Sequence, residues 1–307
     1  MHKTSSDFHK IIQEEIERTG ASSLEDINRI AKRIMEQQNN APLDDFDGLS
    51  PHQMYYVLHH LFAEGSVVRL NRDVAADIAL QSLLLKLCID LLNIIQDAGE
   101  LKLTAKGFLP AATVRELYDK RYFPDGYIDR HKKKLLKETD FYQLWLVRLL
   151  CELDKLTKKR KNKLSLTGKC KKVIKYPGIL LADIFDTFCN RFNWAFFDAY
   201  ESEQAALMGA GYSLYLLKKY GEKERNASWY AEKYSGAFPQ VLNDFSPSPY
   251  RDVPVVFERC YVLRTFERGF NLFGLAEVRK ERLKESPWEK LYVKKTRLFD
   301  EFVIVEK

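Results

Sequence analysis

The chain of 307 residues is 46% hydrophobic and 13% aromatic, enough apolar surface to offset the entropy of ordering, which excludes a disordered chain. Five widely spaced cysteines, an odd number with no CxxC pair, argue for reduced thiols in a cytoplasm and against a zinc site or a disulfide scaffold. Net charge is +6, yet ten Lys or Arg and no acid lie between Lys155 and Lys175, which leaves −4 on the rest: the positive charge is local.

The first twenty residues, "MHKTSSDFHKIIQEEIERTG", place acids where a signal peptide needs an apolar run, so a cytoplasmic location is expected. Residues 22 to 35, "SSLEDINRIAKRIM", predict a helix, with Ser22 and Glu25 as a capping box and Leu24, Ile27, Ile30, Ala31 and Ile34 on one face. "QQNNAPLDDFDG" breaks that pattern as a loop, its aspartates reading as turn residues. A second helix begins at Ser50, with Pro51 in the first turn and Gln53 completing a capping box.

From Leu80 to Ile95 apolar residues lie on nearly all sides, which predicts a central helix wrapped by others. This run and "GILLADIFDTFCNRFNWAFF" are interrupted by Lys86 and Asp90, and by Asp183, Asp186 and Arg191, within less than a membrane span, so no membrane partner is expected. "LKLTAKGFLP", Leu101 to Pro110, then reads as a joint: a short strand with Leu101 and Leu103 on one face, a turn, and Pro110 restarting a helix.

A close echo, "LSLTGKC", returns at Leu164 to Cys170. Aligning Cys88 with Cys151 matches Leu87, Cys88, Leu101, Leu103, Thr104 and Lys106 with residues 63 later, without a gap. The apolar phases after the two cysteines differ and the downstream sequences diverge, so duplication and coincidence both stay open. A repeated unit is expected to stack on its neighbour. Further on, Glu201 to Phe245 predicts helix with aromatic anchors, "SPSPYRDVP" a linker, and the last stretch a helix followed by strands near Leu275 to Arg279 and Leu291 to Thr296 around a charged loop. Helix then two-stranded hairpin is the winged-helix plan. The expected fold is therefore mainly α with short β-hairpins: an N-terminal helical segment (1–75), tandem winged-helix-like units (76–200), and a C-terminal helical and winged-helix-like domain (201–307).

The strongest functional candidate is the basic stretch. Lys158, Lys159, Arg160, Lys161 and Lys163 sit between a helix and a strand, with Lys169, Lys171 and Lys172 just beyond, where a turn or wing presents them to phosphates. A solvated loop, a membrane surface or an acidic protein would use the same charges. His52, His59 and His60 follow "DDFDG", but on a helix His52 and His59 stand roughly 10 Å apart by rise and His59 and His60 point in different directions, so surface histidines are expected and no metal. Cys88, Cys151, Cys189 and Cys260 fall in apolar helical phases, whereas Cys170 among Lys169, Lys171 and Lys172 is expected to be the most reactive thiol. "GAG" at Gly209 to Gly211 matches no phosphate-binding fingerprint, and "GYSLYLLKKYG" and "FNWAFFDAY" read as core stripes.

At "DGLSPHQMYYVLHHLF" and "LKLTAKGFLPAATVRELY" the chain resembles a family of uncharacterised bacterial proteins, in a "GLSPxQM" helix start, an "LKLTxKGxLP" segment and "FGLAEV" followed by "KKTRLFDEF". The resemblance covers about a third of the chain in scattered blocks. It implies a shared architecture and no established activity, and it carries over no catalytic residue; some relatives add a cysteine-rich metal-binding tail that does not appear here, so no cofactor is carried over either. The expected function is a non-enzymatic intracellular nucleic-acid-binding protein, DNA or RNA, with the basic segment on phosphates. The alternative is a protein-protein interaction or scaffold module docking a protein partner through its helices.

Overall fold

Ser50 shows how local chemistry sets the element boundaries. Its hydroxyl accepts from the Gln53 N–H at 3.2 Å while the Gln53 side-chain oxygen accepts from the Ser50 N–H at 3.0 Å, closing the expected capping box ahead of helix Pro51–His59. In helix Leu24–Asn40 the cap falls one residue later than expected. Ser23, not Ser22, accepts from the Asp26 N–H at 3.0 Å, and its hydroxyl donates to the Asp26 carboxylate at 2.6 Å, so the acid three residues on holds the serine in place.

The computed structural model describes residues 5–131, 136–247, 251–282 and 289–306; the middle of the expected "SPSPYRDVP" linker (248–250) and most of the expected charged loop (283–288) lie outside them. The described chain is mainly helical, with three small antiparallel sheets built from strands β1 (Val68–Leu70), β2 (Leu101–Lys102), β3 (Thr157–Arg160), β4 (Lys163–Leu166), β5 (Arg225–Asn226), β6 (Ala276–Arg282), β7 (Glu289–Lys295) and β8 (Val303–Val305). The sheets run β1-β8, β2-β4-β3 and β5-β7-β6.

Helix Leu83–Ala98 stands where the central helix was expected, buried on one side. Ser82 caps it, and Leu84, Leu85, Leu87, Cys88, Leu91, Leu92 and Ile95 are all buried, on one side at helical spacing. That side packs against helices Ala111–Asp119, Tyr142–Leu153 and Pro177–Asn190, while Lys86, Asp90, Asn93 and Asp97 share the opposite, more solvated side, so the expectation of a helix wrapped on nearly all sides is corrected to an amphipathic one. Each fully buried leucine there contributes about 1.5–3 kcal/mol of hydrophobic free energy. The segment after it is the predicted joint: β2, a turn with Gly107 at φ +80°, and helix Ala111–Asp119 behind Pro110.

Contacts cross both boundaries expected from the sequence. β1 pairs with β8, Val68 opposite Val305, so the N-terminal segment closes against the chain's last strand. Asp47 takes hydrogen bonds from Lys219 and Lys233, at 2.8 and 2.9 Å, and the Tyr215 hydroxyl donates to its carbonyl at 3.0 Å. Burial would raise the Asp47 carboxyl, but hydrogen bonds from Lys219, Tyr220 and Lys233 outweigh it and hold it below the usual range. Asp47 is thus a buried anchor, more than a turn residue. Tyr212, Tyr230 and Tyr234 are buried, as an aromatic core stripe requires, and the π-helical stretch Leu263–Phe270 turns Arg264 inward onto Asp198 at 2.8 and 2.9 Å. No helix among the described residues is long and apolar enough to cross a membrane.

Candidate nucleic-acid interface

The basic stretch folds into a hairpin and the helix that follows it. β3 and β4 are joined by Lys161 and Asn162, both with positive φ (+47° and +59°), the pair of left-handed residues that a two-residue hairpin turn demands. Asparagine tolerates that conformation well, and here it has a second task. The Asn162 amide donates to the carbonyls of Leu103 and Thr104 at 3.1 and 2.7 Å, and the Leu103 N–H donates back to the Asn162 carbonyl at 2.9 Å. The hairpin tip is thereby fastened to the "LKLTAKGFLP" joint.

Register decides where the charges go. β4 lies in the middle of its sheet, with Lys163 directly opposite Lys102 on β2 and opposite Arg160 on β3. In the next row Leu164 stands opposite Leu101 and Lys159; in the row after that Ser165 stands opposite Lys158. Side chains alternate between faces along a strand. Leu164 and Leu166 are buried, so their face is the inner one, and Lys102, Lys158, Arg160 and Lys163 share the outer, solvated one. Among the described residues one carboxylate reaches this group: Glu100 accepts from the Lys163 ammonium at 2.7 Å. That hydrogen bond, with the fields of Lys158 and Arg160 added to that of Lys163, holds the Glu100 carboxyl below its ordinary value.

The other predicted cations divide. Lys159 stands on the inner-face side of the edge strand and lies over Gly107, where any Cβ would collide with its ammonium, and Lys161 is exposed in the turn. Lys171 and Lys172 are exposed on helix Gly168–Val173. Lys169 is engaged internally: it donates to Asp154 at 2.6 Å and pairs with Asp183 at 3.1 Å. Burial works against its charge, but these two carboxylates raise its pKa above the usual lysine value. Sequence reasoning missed Lys102 and Glu100 because neither belongs to the basic run; the signal that could have found them was the echo itself, since pairing "LKL" with "LSL" puts Lys102 beside Lys163.

Cys170 corrects an expectation. Thr167 caps the short helix and turns Cys170 inward, where it is fully buried and burial pushes its thiol up to about 11; the neighbouring lysines do not activate it. The echo meanwhile acquires geometry. Cys88 and Cys151 touch sulfur to sulfur at 3.5 Å, Leu101 pairs with Leu164, and Glu100 pairs with Lys163, three contacts between positions 63 apart. Equivalent positions meeting each other is what a local twofold axis between two copies requires. His52, His59 and His60 are exposed on helix Pro51–His59 and its cap, packed against Tyr55 and Tyr56, and no metal-ligand cluster occurs among the described residues.

A family model described as the Y4jL N-terminal domain matches residues 80–179, about a third of the chain. That span contains both copies of the echo and the whole β2-β4-β3 sheet, while the "GLSPxQM" and "FGLAEV" segments fall outside it. No curated protein and no solved structure matches the chain.

Proposed function

We propose that the chain is a non-enzymatic nucleic-acid-binding protein that holds phosphates on the outer face of the β2-β4-β3 sheet. The observation that carries this reading is the row Lys102, Lys163, Arg160, three cations set directly opposite one another across three strands. Like charges at such positions destabilise a sheet, so a surface selected for stability alone avoids them. The hairpin β6-β7 follows the ordinary rule: Glu277 stands opposite Lys294 and Glu281 opposite Lys290. The contrast favours a ligand-directed role for the first sheet, because an anion lying across the row removes the repulsion.

The order of helix, strand and hairpin fits a winged-helix-like unit in which the β3-β4 hairpin is the wing and grips the backbone. Lys158, Arg160 and Lys163 with Lys102 then supply phosphate contacts, which give affinity without reading sequence. Fluorescence anisotropy with short labelled DNA and RNA at several salt concentrations tests this. Four phosphate contacts give a slope of log K against log salt of about −3 to −4, and changing Lys158, Arg160 or Lys163 to Ala reduces its magnitude by about one each. Absence of salt-dependent binding to any nucleic acid would overturn the reading and return the search to protein partners.

A further inference from the structure

The "LKLTAKGFLP" joint borders a cleft of about 510 Å³, which lies between the Thr104–Ala111 stretch and residues Leu136 to Thr139. That volume is in the range of small-molecule sites. Its walls are apolar, with Leu109 and Leu136 buried and Phe108 half-buried against Trp145. Its rim is cationic: Lys106 and Lys137 are exposed there, and neither makes an ion pair among the described residues. Glu138, the acid beneath, is already committed to Arg148 and to the Leu109 N–H, so it offers the cleft no free anion.

The cleft and the cationic row belong to one structure. Lys102 precedes the rim residue Thr104 by two residues, about 7 Å of extended chain. Arg160 and Lys163 flank the hairpin turn whose Asn162 is hydrogen-bonded to Thr104, and Lys159 covers Gly107 in the same loop. The row is thus at the end of the sheet nearest the cleft. A flat apolar ring with an attached anion matches this arrangement, the ring between Phe108 and Leu136 and the anion on the lysines.

We infer that the ligand is a single-stranded nucleic acid, one base of which leaves the strand and enters this cleft while the flanking phosphates lie across Lys102, Lys163 and Arg160. The inference rests on the nucleic-acid reading above and narrows it. A paired duplex keeps its bases stacked inside and has none to give, whereas single strands present unstacked bases to aromatic and apolar surfaces.

The test is anisotropy with three labelled probes at two salt concentrations: a single-stranded thymidine 10-mer, a 10-mer of the same backbone lacking every base, and a duplex. The base-bearing single strand is expected to bind about tenfold more tightly than the abasic one. Ala111→Leu, which fills the cleft without changing charge, should abolish that advantage and leave abasic binding and its salt dependence unchanged, its folding being checked by thermal melting. Equal, salt-dependent binding of the base-bearing and abasic strands would overturn the cleft inference and leave the phosphate reading standing. A duplex bound more tightly than the single strand would also overturn it. Absence of binding to all three probes would overturn both.

Discussion

Arg148→Met is the most informative perturbation of the joint, because its cost can be worked out and has a sign in pH. The Arg148 guanidinium donates to both Glu138 oxygens at 2.7 and 2.9 Å, to Glu152 at 2.8 Å and to the Gly107 carbonyl at 2.9 Å. Glu138 is 1% exposed, and burial already raises its carboxyl above the usual value although the Leu109 N–H and Arg148 both work to lower it. Without the arginine, Glu138 keeps the Leu109 N–H at 2.6 Å and takes up a proton in the folded state. In the unfolded chain it titrates near ~4.3, so keeping it neutral at pH 7 costs at most about 3.7 kcal/mol, at about 1.4 kcal/mol per pH unit. The Gly107 carbonyl loses its donor as well, for about 1 kcal/mol more. The expected deficit at pH 7 is therefore about 3–5 kcal/mol, in line with broken buried ion pairs generally. Because the folded variant binds a proton that its unfolded state does not, the deficit shrinks as pH falls. Urea unfolding of both proteins at pH 7 and 5.5 should show it smaller at the lower pH, by at most about 2 kcal/mol. A deficit that does not change with pH, or one below about 1 kcal/mol at pH 7, would refute the reasoning.

The remaining predictions concern the second anchor and the cationic face. Asp47 has the opposite sign: its folded carboxyl is held below the unfolded value, so its contribution is present above about pH 4 and lost as pH falls through the lowered value. Asp47→Asn should therefore cost about 1–3 kcal/mol in urea unfolding at pH 7 and progressively less below about pH 4. Lys102→Glu replaces a repulsive cross-strand pair with an attractive one and should stabilise the fold by about 0.2–1 kcal/mol while weakening nucleic-acid binding, read by melting and by anisotropy on the same preparation. Glu100→Gln removes the carboxylate competing for Lys163 and should strengthen binding up to about fivefold at low salt, an advantage that disappears at high salt.

Much of the scaffold is legible in the sequence, because it rests on local chemistry. The capping box at Ser50, the continuously apolar run that became helix Leu83–Ala98, the restart at Pro110 and the β6-β7 hairpin depend on residues within a few positions of one another. What was not legible depends on partners far away in the chain. Asp47 reads as a turn residue until Lys219 and Lys233 arrive, and Cys170 reads as an activated thiol until the Thr167 cap turns it away from its lysines. The site was half visible for the same reason. The basic run showed that charge is concentrated, but strand register is needed to group Lys158, Arg160 and Lys163 with Lys102, and the distant carboxylates Asp154 and Asp183 to set Lys169 apart.

The contacts between positions 63 apart, taken as a local twofold relation, bear on the proposed role of this face. About an axis through Leu101 and Leu164, position 100 corresponds to 163 and 102 to 165. A purely structural pairing would serve both copies alike, yet the residues differ: Glu100 and Lys102 in the first copy, Lys163 and Ser165 in the second. The backbone departs from the symmetry at the same place. The first copy continues its helix to Ala98, while the second leaves its helix at Leu153 and forms β3 from the corresponding stretch. That extra strand is the one that carries Lys158 and Arg160. Two departures from the shared plan, one in backbone and one in charge, converge on the same three-stranded face and make it more cationic at a cost in sheet stability. On the proposal that this face holds phosphates, both departures serve the same end, since each brings cations to the surface on which the polyanion would lie.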